Sequence, residues 1–231
     1  MTQVDVFLEV ASIRLAAMES RVKVTVVYES LFGNTRKVAE AISDGVREAY
    51  PDAHVECVAV GRASAELINS TNLLIVGGPT HLGRMTTDFS RKRQISREKK
   101  AEAKGAPPRE LESDAEGPGL REWFYQMWPQ AKGWGHAAAF DTRLGSALAG
   151  GACYGIARKL RGRGYELVND PEGFILGPEG FILGFLLDDA YGPLHAGGIE
   201  RAKEWGAQVV RRSVANPGGW AIWDRLNVGN E

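Results

Sequence analysis

The chain has 231 residues, 44% hydrophobic and 25% charged, with a formal net charge of −1. This is ordinary globular material, long enough for one large domain or one domain with extensions, and no apolar run nears the roughly 20 residues of a membrane helix. Two cysteines, Cys57 and Cys153, lie in unrelated segments without metal-ligand spacing, which suits a reducing cytoplasm better than a disulfide framework.

The first 20 residues carry no basic n-region, and Asp5, Glu9 and Arg14 interrupt their apolar stretch, against a signal peptide. Val6, Val10, Ile13 and Ala17 share one helical face; the alternative is a natural start at Met18 with poorly ordered residues before it. Residues 22–28 (VKVTVVY) are β-branched and aromatic and predict the first strand. A polar loop, 30–35 (SLFGNT), leads into a helix that aligns Val38, Ala39 and Ile42. Residues 53–60 alternate like a strand, 73–78 (LLIVGG) form a buried-type run, and 135–142 (GHAAAFDT) are a further strand candidate. Residues 146–164 (SALAGGACYGIARKLRGRG) are predicted to form a helix that ends at a glycine and holds Cys153 as a buried residue. Residues 165–168 and a Phe/Ile/Leu-rich stretch follow, and 199–212 close the domain as an amphipathic helix.

Strands alternating with helices, apolar on both faces, predict an α/β fold. Its simplest form is a doubly wound, five-stranded parallel sheet in the order 2-1-3-4-5, with helices on both faces and ligands beyond the carboxyl ends of the strands. The domain is expected over 22–214, with an N-terminal extension at 1–21 and a tail at 215–231 whose Trp220 and Trp223 pack onto the domain or a second subunit.

An insertion at about 86–134 departs from this plan. Its basic run, 90–104, lacks interleaved aromatics and has acids nearby, so it reads as a solvated helix rather than a nucleic-acid surface. Residues 105–119 are rich in Pro, Gly and acids and read as a loop. Trp123, Phe124, Tyr125, Trp128 and Trp134 are expected to pack in the core or form a lid. Residues 171–184 are one heptapeptide, PEGFILG, written twice. A seven-residue offset turns the second copy's pattern to the opposite face, and Pro178 has no ladder donor. One copy is therefore expected to complete the last strand and the other to be extruded.

The loop 30–35 lies where a strand hands over to a helix, so unpaired N–H groups and the helix dipole favour an anion. Ser30 and Thr35 add hydroxyls, Asn34 an amide, and Gly33 permits close backbone approach. It matches neither the G-x-x-x-x-G-K-[ST] nor the G-x-G-x-x-G pattern. Helix capping by Ser and Asn is the plainer alternative.

This stretch resembles the flavodoxin-like family. SLFGNT is similar to the family's FMN phosphate loop, which gives Ser30, Leu31, Phe32, Gly33, Asn34 and Thr35 as candidate cofactor contacts. GGPTHLG, 77–83, resembles the second loop, which contacts the isoalloxazine ring, and brings in Pro79, Thr80, His81, Leu82 and Gly83. AFDTRLG, 139–145, holds the place of the third loop and adds Asp141, Thr142, Arg143 and Gly145. The resemblance covers roughly 23–212. It implies FMN as cofactor and electron transfer in the cytoplasm to a redox partner protein or small-molecule acceptor. No nucleic acid, metal or membrane span is implied, and a homodimer is left open.

His81 is expected either to stack on the flavin or lie near its N5, or to be a solvated loop residue. Arg143 faces the N1/O2 edge or forms a surface salt bridge; Asp141 accepts from the ring's N3–H or caps a helix at Ser146. The sequence departs from short-chain flavodoxins in its balanced charge and in offering His81 and Leu82 where Trp or Tyr would flank the ring. Phe140 is directed to the core by strand alternation. An FMN-dependent NAD(P)H:quinone or nitro-compound reductase and a flavin-free interaction module are the alternative functions. No catalytic residue follows from the sequence.

Overall fold

The computed structural model describes residues 22–105, 107–127, 135–145, 150–177 and 193–216. The readings made for 1–21, Trp128, Trp134, Ser146, the second heptapeptide copy, Trp220 and Trp223 lie outside them.

The strands are β1 (Lys23–Tyr28), β2 (His54–Ala59), β3 (Leu73–His81), β4 (Arg84–Met85), β5 (His136–Leu144), β6 (Glu166–Leu167) and β7 (Glu172–Leu176). The helices are α1 (Asn34–Ala49), α2 (Ala65–Asn69), α3 (Asp88–Glu102), α4 (Leu120–Met127), α5 (Ala152–Gly162) and α6 (Gly198–Ala215). The parallel sheet runs β2-β1-β3-β5-β6, with β7 also on β5. This is the expected 2-1-3-4-5 order, its fifth position shared by two short strands. β6 pairs His136–Ala137, and β7 pairs the Phe140–Leu144 half of β5. Between the pairs Ala137↔Leu167 and Phe140↔Glu172 the outer chain carries two residues more than β5. An even excess leaves the in-out alternation intact across the interruption.

The alternating faces of the central strands make two cores. Val24, Val26, Tyr28, Leu73, Ile75, Phe140 and Phe174 pack beneath α1 and α6. Val27, Leu74, Val76, Ala137 and Ala139 pack beneath α4 and α5. Phe140 is buried, as strand alternation required. On the first face α1 and α6 touch backbone to backbone: a Cβ on Gly206 would stand 2.3 Å from the Ile42 carbonyl oxygen, and one on Gly45 would overlap that of Lys203. Within the sheet, Gly77 leaves room for the Phe140 ring and Gly78 for Leu120.

Three elements differ from expectation. β3 continues to His81 because β4 folds back on it, pairing Thr80 with Met85 and His81 with Arg84. The Leu82–Gly83 turn between them has both φ angles positive, 50° and 74°, as a tight hairpin demands. α5 starts at Ala152, later than the predicted stretch, because Gly150 adopts φ 61° and Gly151 is extended. α3 has the expected solvated face, yet Arg91, Gln94 and Ile95 form a buried stripe at helical spacing. Its N-terminus carries a reciprocal Thr87–Ser90 cap. In α4, Trp123 and Phe124 enter the core while Tyr125 is 85% exposed.

Candidate functional site

The carboxyl ends of β1, β3 and β5 bring the three predicted loops to one end of the sheet, and each is built differently. The first loop turns at Gly33, whose φ of 87° makes it the left-handed residue before α1. The Ser30 hydroxyl oxygen accepts the Gly33 N–H at 3.1 Å and fixes that turn, leaving its own O–H to donate. Gly33, the N-cap residue, has no side chain with which to cap α1, and no acidic residue occupies the helix's first turn. Thr35 is buried, its hydroxyl 2.7 Å from that of Thr142, which ties the helix start to β5. Leu31 serves the loop through its backbone only. Its side chain packs with Ile95 and Ala115, flanked by Phe32 and Leu111, and its carbonyl accepts from Glu112 N–H.

The insertion therefore braces this loop, which the sequence reading did not foresee. Glu112 Oε1 lies 2.8 Å from Arg36 Nε and 3.0 Å from where a Cβ on Gly33 would stand. Arg36 also pairs with Glu40, and the two carboxylates hold its guanidinium firmly charged. A cation thus sits in the first turn of α1, just past a loop that has none, and is held there by two carboxylates. Glu29, immediately before the loop, is buried and accepts from the Thr86 hydroxyl at 2.5 Å and Leu120 N–H at 2.8 Å. Burial pushes its carboxyl above the usual range. Arg91, also buried, binds Glu122 at 2.9 Å, and that carboxylate accepts Gly119 N–H at 3.0 Å. No sequence pattern marks this network, because its members come from β1, α3, α4 and the segments between.

At the second loop, Leu82 is 80% exposed at the hairpin tip, with Pro79 half-buried behind it. His81 is half-buried, 3.3 Å from the Ser90 hydroxyl through Nδ1. Burial and the nearby Arg91 charge hold it down to about 4, so the ring is neutral near pH 7. The Thr80 hydroxyl is engaged within the protein: it accepts Ala152 N–H at 2.8 Å and donates to Asp141 Oδ2 at 3.0 Å.

Asp141 belongs to the same arrangement. It is fully buried, and Oδ2 also accepts Cys153 N–H at 2.9 Å. It caps a helix as one of its alternatives held, but at α5 rather than at Ser146. Arg143 Nε lies 3.4 Å from Asp141 Oδ1, and its Nη1 donates to the Gly150 carbonyl at 2.8 Å. The guanidinium crosses Gly151 and Gly173, where side chains would collide with it, and lies 5.7 Å from the Tyr154 ring centroid. Its salt bridge is thus an internal one. Gly145 lies against Ile175 of β7, which a Cβ would approach to 2.9 Å. Cys153 is buried, its thiol pushed far up by burial and by Asp141.

With this geometry in place the chain can be set beside known proteins. The flavodoxin family model matches residues 26–110, which include the first loop, the β3–β4 hairpin and α3. Among solved structures, oxidised flavodoxin 2 from Bacillus cereus superposes with a TM-score of 0.53 at 18% identity, covering 82% of this chain and 99% of that one. A flavodoxin from the domain Archaea gives 0.51 at 19%, covering 83% and 98%. A flavodiiron protein from Giardia intestinalis gives 0.53 at 16%, covering 86% of this chain but only 37% of its own. No curated protein sequence matches. The chain has a flavodoxin-like fold. At these identities the structural likeness is one of fold, and the flavodoxin-like chain's site rests on its own residues. Among the described residues no cluster of His, Cys, Asp or Glu could hold a metal ion, and no helix is long and apolar enough to cross a membrane.

Proposed function

We propose that this protein binds FMN at the end of the sheet formed by 30–35, 79–83 and 141–145, and transfers electrons between redox partners. The observation that carries the reading is the start of α1: a left-handed glycine at the N-cap, a hydroxyl-braced turn and a first turn without an acidic residue. Such a terminus is complementary to a phosphate through its dipole and backbone amides, the Arg36 charge in the same turn being met by Glu40 and Glu112. Asn34, Thr35 and the Ser30 hydroxyl would hold the phosphate. Leu82, apolar and exposed at the hairpin tip, would lie against the ring, with His81 neutral beside it. When bound, FMN supplies one- and two-electron chemistry.

The roles of Thr80, Asp141 and Arg143 in this reading are indirect. Their polar groups finish α5 and fix the third loop, so they shape the pocket rather than touch the ring. Two measurements test the proposal. Purified protein should carry a flavin visible spectrum or take up FMN stoichiometrically, and it should bind FMN at least tenfold more tightly than riboflavin. Equal affinities would remove the phosphate from the loop. Steady-state NAD(P)H oxidation with a quinone acceptor separates a carrier, which shows negligible turnover, from a reductase.

A further inference from the structure

The heptapeptide written twice over 171–184 has a consequence for the sheet. Its first copy forms β7 and the turn after it. Glu172 pairs with Arg201, and Gly173 passes beneath the Arg143 guanidinium. Phe174 is 0% exposed and sets its ring edge-on to Phe140 and Trp205, with centroids 6.2 Å from each. Leu176 is buried, and Gly177, at φ 94°, donates its N–H to the Pro193 carbonyl at 3.0 Å. Every residue making these contacts recurs seven positions later, as Glu179, Gly180, Phe181, Leu183 and Gly184.

We propose that β7 is occupied in two registers seven residues apart, either copy of the heptapeptide pairing with β5. In the shifted register Phe181 lies against Phe140 and Trp205, Gly180 passes beneath Arg143, Glu179 meets Arg201 and Gly184 makes the turn to Pro193. The seated strand is chemically the same in both states, so its burial and hydrogen bonds cancel from the comparison. A one-residue slip would reverse every side chain; a slip by the full repeat reverses none.

Only the connections differ. Val168 stays fixed by its N–H bond to the Ala137 carbonyl, while the chain from there to the strand lengthens by seven residues. The chain between strand and Pro193 shortens by seven, from 178–192 to 185–192. Closure entropy grows only with the logarithm of length, so lengthening one loop and shortening the other leaves the populations within about threefold. The one polar side-chain contact shown for the segment between β6 and β7, Asn169 with Arg212, is exposed and worth little. The shift transfers seven residues from the carboxyl end of the sheet, where Ile175 adjoins Gly145, to the β6–β7 connection midway along β5. Its effect on a cofactor there rests on the FMN reading; the exchange itself does not.

The test uses the full chain and three variants: Phe174→Asp, Phe181→Asp and the double substitution. Each single variant should unfold cooperatively within about 3 °C of wild type, because the other phenylalanine takes the core site. The double variant should lose the transition. Hydrogen exchange on the wild type should show partial protection of both 173–176 and 180–183. A chain lacking one copy, identical whichever copy is removed, should show full protection of the copy that remains. Either single variant as unfolded as the double would overturn the proposal. So would full protection confined to one copy in the wild type. Thermal melts without FMN keep these outcomes separate from a failure of the cofactor assignment.

Discussion

α1 and α5 start at the same end of the sheet, one after β1 and the other after β5, and their first turns are finished in opposite ways. At α5 the protein supplies every partner: Thr80 takes the Ala152 amide, Asp141 takes that of Cys153, and the Gly83 carbonyl takes that of Gly151. The hairpin turn presses onto Gly150 so closely that a Cβ there would stand 2.5 Å from the Gly83 carbonyl oxygen. At α1 the N-cap is a left-handed glycine, which has no side chain to cap the helix, and side chains brace the turn from the flank. Both ends carry the same dipole and the same orphan amides. What separates the two ends is therefore the N-cap surroundings: Thr80 and Asp141 reach in from distant strands at α5, whereas the Ser30 hydroxyl turns the chain at Gly33 before α1.

The largest effect should come from opening the closed end. Asp141→Ala removes an acceptor from Cys153 N–H and from the Thr80 hydroxyl, and leaves Arg143 without its carboxylate. The combined loss is about 3 kcal/mol, or roughly 6–12 °C in melting temperature for a chain of this size. Asp141→Asn, which keeps one acceptor oxygen, should recover part of it. Chemical denaturation of the two variants without cofactor checks this. A loss below 1 kcal/mol for Asp141→Ala would mean that the cap is not holding α5 in place.

A smaller effect concerns the hairpin that covers that closed end. His81 is held down to about 4, against about 6.5 when unfolded. Between these values the unfolded chain binds more protons, so the contribution is whole above pH 6.5 and declines as pH falls towards 4. For a half-buried ring the decline should be about 2 kcal/mol. Glu29 and Asp141 act in the opposite sense, because burial raises their carboxyls and the folded state takes up protons first. The pH dependence should therefore be read as wild type minus His81→Gln, in which the carboxyl contributions cancel. Coincident stability profiles from pH 7.5 to 4 would show that His81 is solvated.

The difference between the two helix ends was only half visible in the sequence. Residues 22–28 and 30–35 announce the strand, loop and helix start at α1, because β-branched alternation, a small polar loop and helical spacing are all local signals. Nothing local announces where α5 starts, although the helix itself is legible. Its start depends on Gly150 and Gly151 meeting Gly83, and its caps come from residues 72 and 12 positions away. β4, two residues long, is too short to show a period, so β3 seemed to end at Gly78. Glu29 and Glu112 look like surface acids until the insertion folds over the first loop. The fold was thus legible wherever the apolar pattern had a period. The site was legible where the backbone alone makes it, and hidden where side chains from distant segments complete it.

The smallest expected change is the sharpest probe of the open end. Thr35 is a poor place for it, since its hydroxyl is buried against Thr142 and a bulky acid would disturb the packing. Asn34 is half-buried and is the first residue of α1, in a first turn with no acid. An aspartate there interacts favourably with the helix dipole and should stabilise the protein without cofactor by about 0.3–1 kcal/mol. The same charge lies where the FMN phosphate is assigned, and like charges at close range should weaken FMN binding about tenfold, or 1.4 kcal/mol. Riboflavin has no phosphate and should bind Asn34→Asp as it binds the wild type. Melting temperature and the two affinities therefore move in different directions from one substitution, which no general loss of structure can imitate. Unchanged FMN affinity in a stabilised protein would leave the α1 terminus an uncapped helix end and nothing more.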